Sequence, residues 1–338
     1  MHLKKLLITS TIIAATSISN NTVADIKVSG EQEWNYLDAG GSFKSTLGSS
    51  TSFTFTGTGD LSNGISYLVK FTLEDGDQSY RVITFDLGSG LKLGIGYDQS
   101  YGIETVKAIS PYVNNRRAHI TGAHRGFPTA ARKPLGPDVW DTSSLENAIG
   151  LSFKNDLAAV SFGFTPVRDV NTSTDAIPTT GASEYGTASS IGVKLTPVDG
   201  LTIGFGTSSE ESDATANSDP KGTTIGFQYK IGSFAIGYQE IENELDDTQT
   251  QRVTTTEIQE GGVAYKVNDA LTIGVFAANI NYLTVNTDNG VETGMGIVQI
   301  GYNLGPAVIQ YDYADGSDLN STKDTEYEIH KVKIKVLY

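Results

Sequence analysis

Apolar residues recur at every second position in short segments along the whole chain, and this period limits the possible folds more than any other feature. Ile65, Tyr67, Val69 and Phe71 alternate with Ser66, Leu68 and Lys70. Leu91, Leu93, Ile95 and Tyr97 follow the same rule, as do Ile149, Leu151 and Phe153, then Val160, Phe162 and Phe164. Later come Ile191, Val193 and Leu195; Leu201, Ile203 and Phe205; Ile225, Phe227 and Tyr229; and Phe234, Ile236 and Tyr238. The last third adds Val263, Tyr265 and Val267; Leu271, Ile273 and Val275; Val298, Ile300 and Tyr302; Ile309, Tyr311 and Tyr313; and Val332, Ile334, Val336 and Tyr338. A two-residue period is that of a strand with two unlike faces. No stretch of comparable length carries helical spacing, so the sequence predicts an all-β chain.

The connectors separate a barrel from a sandwich, because they alternate in length. Short turns fall near Gly59–Gly64, Gly88–Gly90, Asn155–Asp156, Pro197–Gly200, Ile231–Gly232, Asn268–Asp269 and Leu304–Gly305. Longer polar loops are expected near 35–50, 74–79, 99–145, 166–186, 209–220, 241–254, 281–290 and 315–324. Seven turns interleaved with eight loops predict sixteen antiparallel strands, short turns at one end and long loops at the other. Outer-membrane barrels have that segregation. An even count also puts both termini on the short-turn side, where the last strand can pair with the first and remove the open edge.

Mean hydropathy is −0.19. That value does not argue against a membrane barrel, since only alternate residues face lipid. At the start, Met1-His2-Leu3-Lys4-Lys5 is positive, Leu6 to Ala15 is an apolar run too short to span a bilayer, and Thr22-Val23-Ala24 is a small-residue cleavage site. Residues 1–24 are therefore expected to be an export leader and 25–338 the mature barrel. Loss of Lys4 and Lys5, with no acid removed, takes the net charge from −15 to −17. Such acidity argues against nucleic acid as a partner. Cysteine is absent, which excludes disulfides, zinc–thiolate sites and cysteine nucleophiles. Glycine (37), tyrosine (16) and phenylalanine (13) are abundant, which suits tightly curved strands at a membrane interface.

The apolar set is expected to face lipid or a neighbouring subunit, and the interleaved Gly, Thr, Ser and Lys set a wet lumen. Two positions break the pattern. Ile258 is even-numbered whereas Val263, Tyr265 and Val267 are odd, which predicts a β-bulge at Gly261-Gly262. Arg81 shares the face of Ile83 and Phe85 and is expected to snorkel to the interface.

Three local stretches give the chain a family resemblance. Ile26-Lys27-Val28-Ser29-Gly30 resembles the first strand of the Gram-negative general porins. Gly90-Leu91-Lys92-Leu93-Gly94, ahead of a very long third loop, resembles their fifth strand. Tyr338 resembles the terminal aromatic read by their assembly machinery, usually a phenylalanine. The resemblance implies a homotrimer of sixteen-stranded barrels in the outer membrane of a Gram-negative bacterium, each with loop 99–145 folded inward to constrict the pore. It departs from the family in having no acidic Pro-Glu-Phe-type motif in the third loop, and its second loop, Glu74 to Ser79, is too short for a latch over a neighbour.

Loop 99–145 holds Lys107, Arg116, Arg117, Arg125, Arg132 and Lys133 against Glu104, Asp138 and Asp141, a net +3 within an acidic chain. His119 and His124 add charge at lower pH. Folded into a pore, these cations would concentrate anions at the narrowest point; on the surface they would contact lipopolysaccharide phosphates or acidic loops. Lys27, Lys70, Lys92 and Lys194 are expected on the lumen wall, as are Lys331, Lys333 and Lys335, with Glu31, Glu33, Asp86 and Asp312 on the same face. The expected selectivity is weakly anionic or near neutral.

Acidic runs at Glu210 to Asp213, Glu240 to Asp247 and Asp315 to Asp318 match no calcium-loop spacing. No metal or other cofactor is expected. Histidines 119, 124 and 330 accompany no nucleophile motif, and Gly88-Ser89-Gly90 enters a strand rather than a helix. The function these features predict is passive diffusion of small hydrophilic solutes and ions through a water-filled channel. The alternatives are a plugged surface-binding barrel (adhesin or receptor) and an outer-membrane hydrolase.

Overall fold

The computed structural model describes residues 25–39, 45–75, 77–97, 101–106, 148–166, 168–169, 184–185, 187–211, 221–244, 253–284, 287–317 and 326–338. The strands are β1 (Asp25–Ala39), β2 (Thr46–Asp60), β3 (Ser66–Glu74), β4 (Asp77–Gly88), β5 (Leu91–Tyr97), β6 (Ala148–Lys154), β7 (Ala158–Thr165), β8 (Arg168–Asp169) and β9 (Glu184–Tyr185). They continue with β10 (Ala188–Leu195), β11 (Leu201–Glu210), β12 (Lys221–Ile231), β13 (Phe234–Glu244), β14 (Val253–Lys266), β15 (Leu271–Thr284), β16 (Thr287–Asn303), β17 (Ala307–Ser317) and β18 (Glu326–Leu337). Sixteen of these close into one antiparallel barrel, while β8 and β9 form a separate two-residue ribbon.

The barrel closes through β1 and β18, whose register runs from Glu31↔Leu337 to Ala39↔Ile329. At the seam the Gly30 N–H donates to the Tyr338 carbonyl (2.7 Å) and the Tyr338 N–H donates to the Gly30 carbonyl (3.0 Å). The Tyr338 ring lies over Gly30, where a Cβ would overlap it, and meets Phe53 edge-on at 6.0 Å. Closure leaves the sixteen-stranded sheet without an open edge, which a spanning sheet requires because lipid offers no hydrogen bonds. No helix among the described residues is long and apolar enough to cross a membrane.

All seven short turns form where expected, and strands outrun the predicted loops at the other rim. β1 continues to Ala39, β2 starts at Thr46, β13 reaches Glu244, and β15 and β16 reach Thr284 and Thr287. Backbone ladders ignore side-chain polarity, so polar residues above the apolar band stay in the sheet. Wall height is uneven: β7 and β10 have 8 residues each, β16 has 17.

The expected bulge at Gly261-Gly262 is absent. The β13–β14 register is continuous from Phe234↔Tyr265 to Glu244↔Thr255, and the β14–β15 register shifts only between Val253 and Thr255. Ile258 therefore faces the interior. It joins Ile241, Phe276, Ile280, Met295, Ile297, Ala314 and Ile329 in a buried cluster on the inner face of β13–β18. The lumen wall is not uniformly wet; one sector of it is an apolar packing surface. Outside, the alternate residues form an exposed apolar belt that includes Phe162, Phe205, Phe227, Ile236 and Val275. Arg81 is exposed on that outer parity, paired with Phe71 and Tyr97.

Candidate pore lining

The third loop enters the barrel at once. After β5 the chain makes a single 3-10 turn, Gly102–Thr105, against the inner faces of β6, β7, β10 and β11. The wall beneath is made of glycine. A Cβ at Gly94 or Gly150 would overlap the Tyr101 ring, one at Gly192 the Gly102 carbonyl, and one at Gly206 the Ile103 and Val106 side chains. Polar contacts fix the strap at both ends. The Gly102 N–H donates to Ser161 Oγ (2.8 Å), and Gln239 Nε2 donates to the Val106 carbonyl (3.2 Å) and to Thr224 Oγ1 (2.7 Å). Gly102 has φ +65°, a left-handed turn that glycine adopts without strain. Ile103 and Val106 are 0% exposed. Burial pushes the Tyr101 phenol above its usual pKa, with a Thr84 hydrogen bond acting in the opposite direction. The phenol is thus a neutral anchor across the working pH range.

The expected constriction cations, Lys107, Arg116, Arg117, His119, His124, Arg125, Arg132 and Lys133, lie outside the described residues. The wall lysines are described. Direct cross-strand partners share a face, and the glycine floor under the strap identifies the inner one. Tracing register from Gly94 and Gly150 around the barrel places Lys27, Lys70, Lys92 and Lys194 on the inner parity. Lys331, Lys333 and Lys335 join them through Asp312, Gln310 and Val308. Lys154, Lys230 and Lys266 also face inward, through Ala159, Ala235 and Thr272.

Reading the sequence missed all three of these inner-wall cations; Lys266 lies within the alternation of Tyr265 and Val267, whereas Lys154 and Lys230 lie at its end. The apolar alternation ends at Phe153 and Tyr229, so the following lysine reads as turn; carrying the parity one residue further finds both. Ten of the eleven described lysines face the lumen, the exception being Lys221 beside Glu244.

Inner carboxylates are partly used up by these cations. Lys333 Nζ lies 3.0 Å from Glu33 and Lys335 Nζ 2.6 Å from Glu31. Asp312 Oδ1 accepts from Gln310 Nε2 (2.7 Å) and Gln299 Nε2 (3.2 Å). Outward acids gather at the long-loop rim instead: Glu240, Glu242, Glu244, Glu257, Glu292, Asp315, Glu326 and Glu328 are all exposed on the outer parity. The inner face is therefore mixed but lysine-rich, with Glu31, Glu33, Asp86, Glu260 and Asp312 among its acids, while exposed acids ring the outside of the long-loop rim.

A family model described as Gram-negative porin matches residues 9–319. The chain belongs to the Gram-negative porins. No curated protein sequence matches it. Among solved structures, this porin is similar to the trimer form of in-vitro folded OmpT, an outer membrane protein of Vibrio cholerae (13% identity, TM-score 0.67, covering 94% of this chain and 100% of that one). It is similar also to Salmonella typhi OmpF in complex with daunomycin (10%, 0.66, 93% and 98%). A third likeness is to an anion-selective porin from Comamonas acidovorans (13%, 0.63, 94% and 100%). At such identities the likeness concerns fold. Together with the family match, the protein is an outer-membrane porin whose barrel forms a channel for passive diffusion.

Proposed function

We propose that this porin favours anions over cations, and that its constriction is set by the third loop with Lys107, Arg116, Arg117, Arg125, Arg132 and Lys133 as its charged lining. One observation carries the proposal: the described lysines are sorted to the inner wall although the chain as a whole is strongly acidic. Cationic walls around a narrow aqueous path raise the local anion concentration, and exterior acids beyond a Debye length of about 10 Å at 0.1 M salt are screened from it. The solutes on this reading are small hydrophilic molecules and ions, handled without catalysis or a cofactor. The further expectations are a homotrimer, a mature chain beginning at Asp25, and lipopolysaccharide around the outer rim.

Reversal potentials across planar bilayers under a potassium chloride gradient test it. A potential of the sign set by chloride is expected, and strong cation selectivity would overturn the reading. The lysine-rich inner wall favours a conducting pore over a plugged barrel. The plugged alternative predicts no stepwise conductance at all.

A further inference from the structure

Four of the inner lysines sit together near the short-turn rim without an ion pair to any described residue. Lys266 is paired with Asp269 at 2.7 Å, Lys333 with Glu33 and Lys335 with Glu31. Like Lys27 on β1, Lys92, Lys154, Lys194 and Lys230 make no ion pair with a described residue. They are neighbours on one sector of wall close to the short-turn rim. Lys92 is the second residue of β5, Lys154 the last of β6, and Lys194 and Lys230 the penultimate residues of β10 and β12.

Lys154 and Lys194 both pair with Ala159 of the intervening strand. Two strand spacings therefore separate their Cα atoms, about 10 Å. Lys194 lies within electrostatic reach of both Lys154 and Lys230. Around Lys154 and Lys194 the inner wall carries the small Ala159, Ser152, Gly204 and Gly226, while Asp86 stands opposite Lys92 and Gln228 precedes Lys230 on the inner face of β12. The turn acids below, Asp156 and Asp199, form no ion pair with any of the four.

We infer that this lysine arc is a binding subsite for multivalent anions, phosphate or polycarboxylate in class, at the periplasmic end of the lumen. Like charges held together without a counter-ion repel one another, and a dianion seated over Ala159 relieves that repulsion while meeting an ammonium from each side. The wall itself leaves space for it, because the floor is alanine and glycine. A monovalent anion gains less from the second lysine, so the subsite ranks solutes by charge number. The inference rests on the anion-favouring reading above and deepens it.

Inorganic pyrophosphate is the probe, with the whole channel in a planar bilayer under potassium chloride. Wild-type current is expected to be blocked more readily from the short-turn side, with sidedness fixed by a single thiol introduced at Ser233→Cys. In the Lys154→Gln, Lys194→Gln double variant the half-blocking concentration rises about tenfold, the loss of one charge-assisted contact set. Lys154→Arg with Lys194→Arg keeps the block. An unchanged half-blocking concentration in the glutamine variant, or equal block from both sides in wild type, overturns the subsite.

Amine acetylation of the wild-type protein read by mass spectrometry avoids any folding defect in a variant. Pyrophosphate is expected to slow labelling of Lys154 and Lys194 several-fold and to leave the outward Lys221 unaffected; equal rates at all three overturn the subsite. A channel that is cation-selective in plain chloride overturns the anion reading instead, so the two failures are distinguishable.

Discussion

The strap against the glycine floor makes a quantitative claim about Ile103. Its side chain is wholly buried between the strap and Gly206, with Val106 beside it. Truncation to alanine removes three carbons from a site whose floor has no side chain to fill the gap. Buried isoleucine-to-alanine changes cost about 2–5 kcal/mol, and poor collapse favours the middle of that range, about 3 kcal/mol. Because about 1.4 kcal/mol is a factor of ten, the strap's undocked population rises by about a hundredfold.

A reporter exists beneath the strap. Ser190 is 3% exposed, and its Oγ sits where a Cβ on Gly102 would fall. Since the chain has no cysteine, Ser190→Cys gives a unique thiol. Its reaction with a membrane-impermeant maleimide should follow local opening of the strap. Adding Ile103→Ala should speed labelling by about two orders of magnitude and make single-channel current noisier at the open level. Equal labelling rates with and without Ile103→Ala would refute the idea that packing on glycine holds the loop inside the barrel.

Other expectations follow from the same geometry. Ile258→Asp buries a carboxylate in the inner apolar cluster and should cost several kcal/mol in urea unfolding from detergent, whereas Ile258→Val should cost about 0.5–1.5 kcal/mol; similar costs for the two would mean that Ile258 faces outward. Gly30→Val places a branched side chain where the Tyr338 ring lies, so refolding yield, read from heat-modifiable gel mobility, should fall sharply, and a normal yield would count against this seam. Lys266 holds the Asp269 carboxyl below its usual pKa of 3.8. A depressed carboxylate stabilises above its unfolded value and is lost as pH falls through the folded one, so this turn's contribution should be flat from about pH 8 to pH 5 and fade only below about pH 4. Thermal melts of wild type and Asp269→Asn that diverge further between pH 8 and 5 would contradict it.

Much of the architecture was legible because it rests on local rules. The two-residue alternation marked the strands, and the turn positions gave their number and the closure of first strand on last. Ile258 shows where legibility ended. An isoleucine on the inner parity reads as a slipped register when the lumen is assumed wet, and only pairing with Ile241 and Ile280 shows that it belongs there. Residues that pack across the barrel interior are partners through space, and no spacing along the chain encodes them. The lysines were half legible for a similar reason. Lys92 and Lys194 sit within apolar alternation, whereas Lys154 and Lys230 follow its last member and pass for turn residues. The strap's inward course was expected from resemblance, yet the glycines that admit it are scattered over β5, β6, β10 and β11 and share a purpose only once those strands are side by side.

Those glycines also bear on throughput. Open-channel conductance grows with free cross-section, and a segment laid on a wall at ordinary packing distance would take about 10 Å of the bore. Here the wall is thinned where the strap crosses it, so the polypeptide lies in a recess. The first turn of the loop is thus anchored along one run of neighbouring strands while occupying little of the aqueous path.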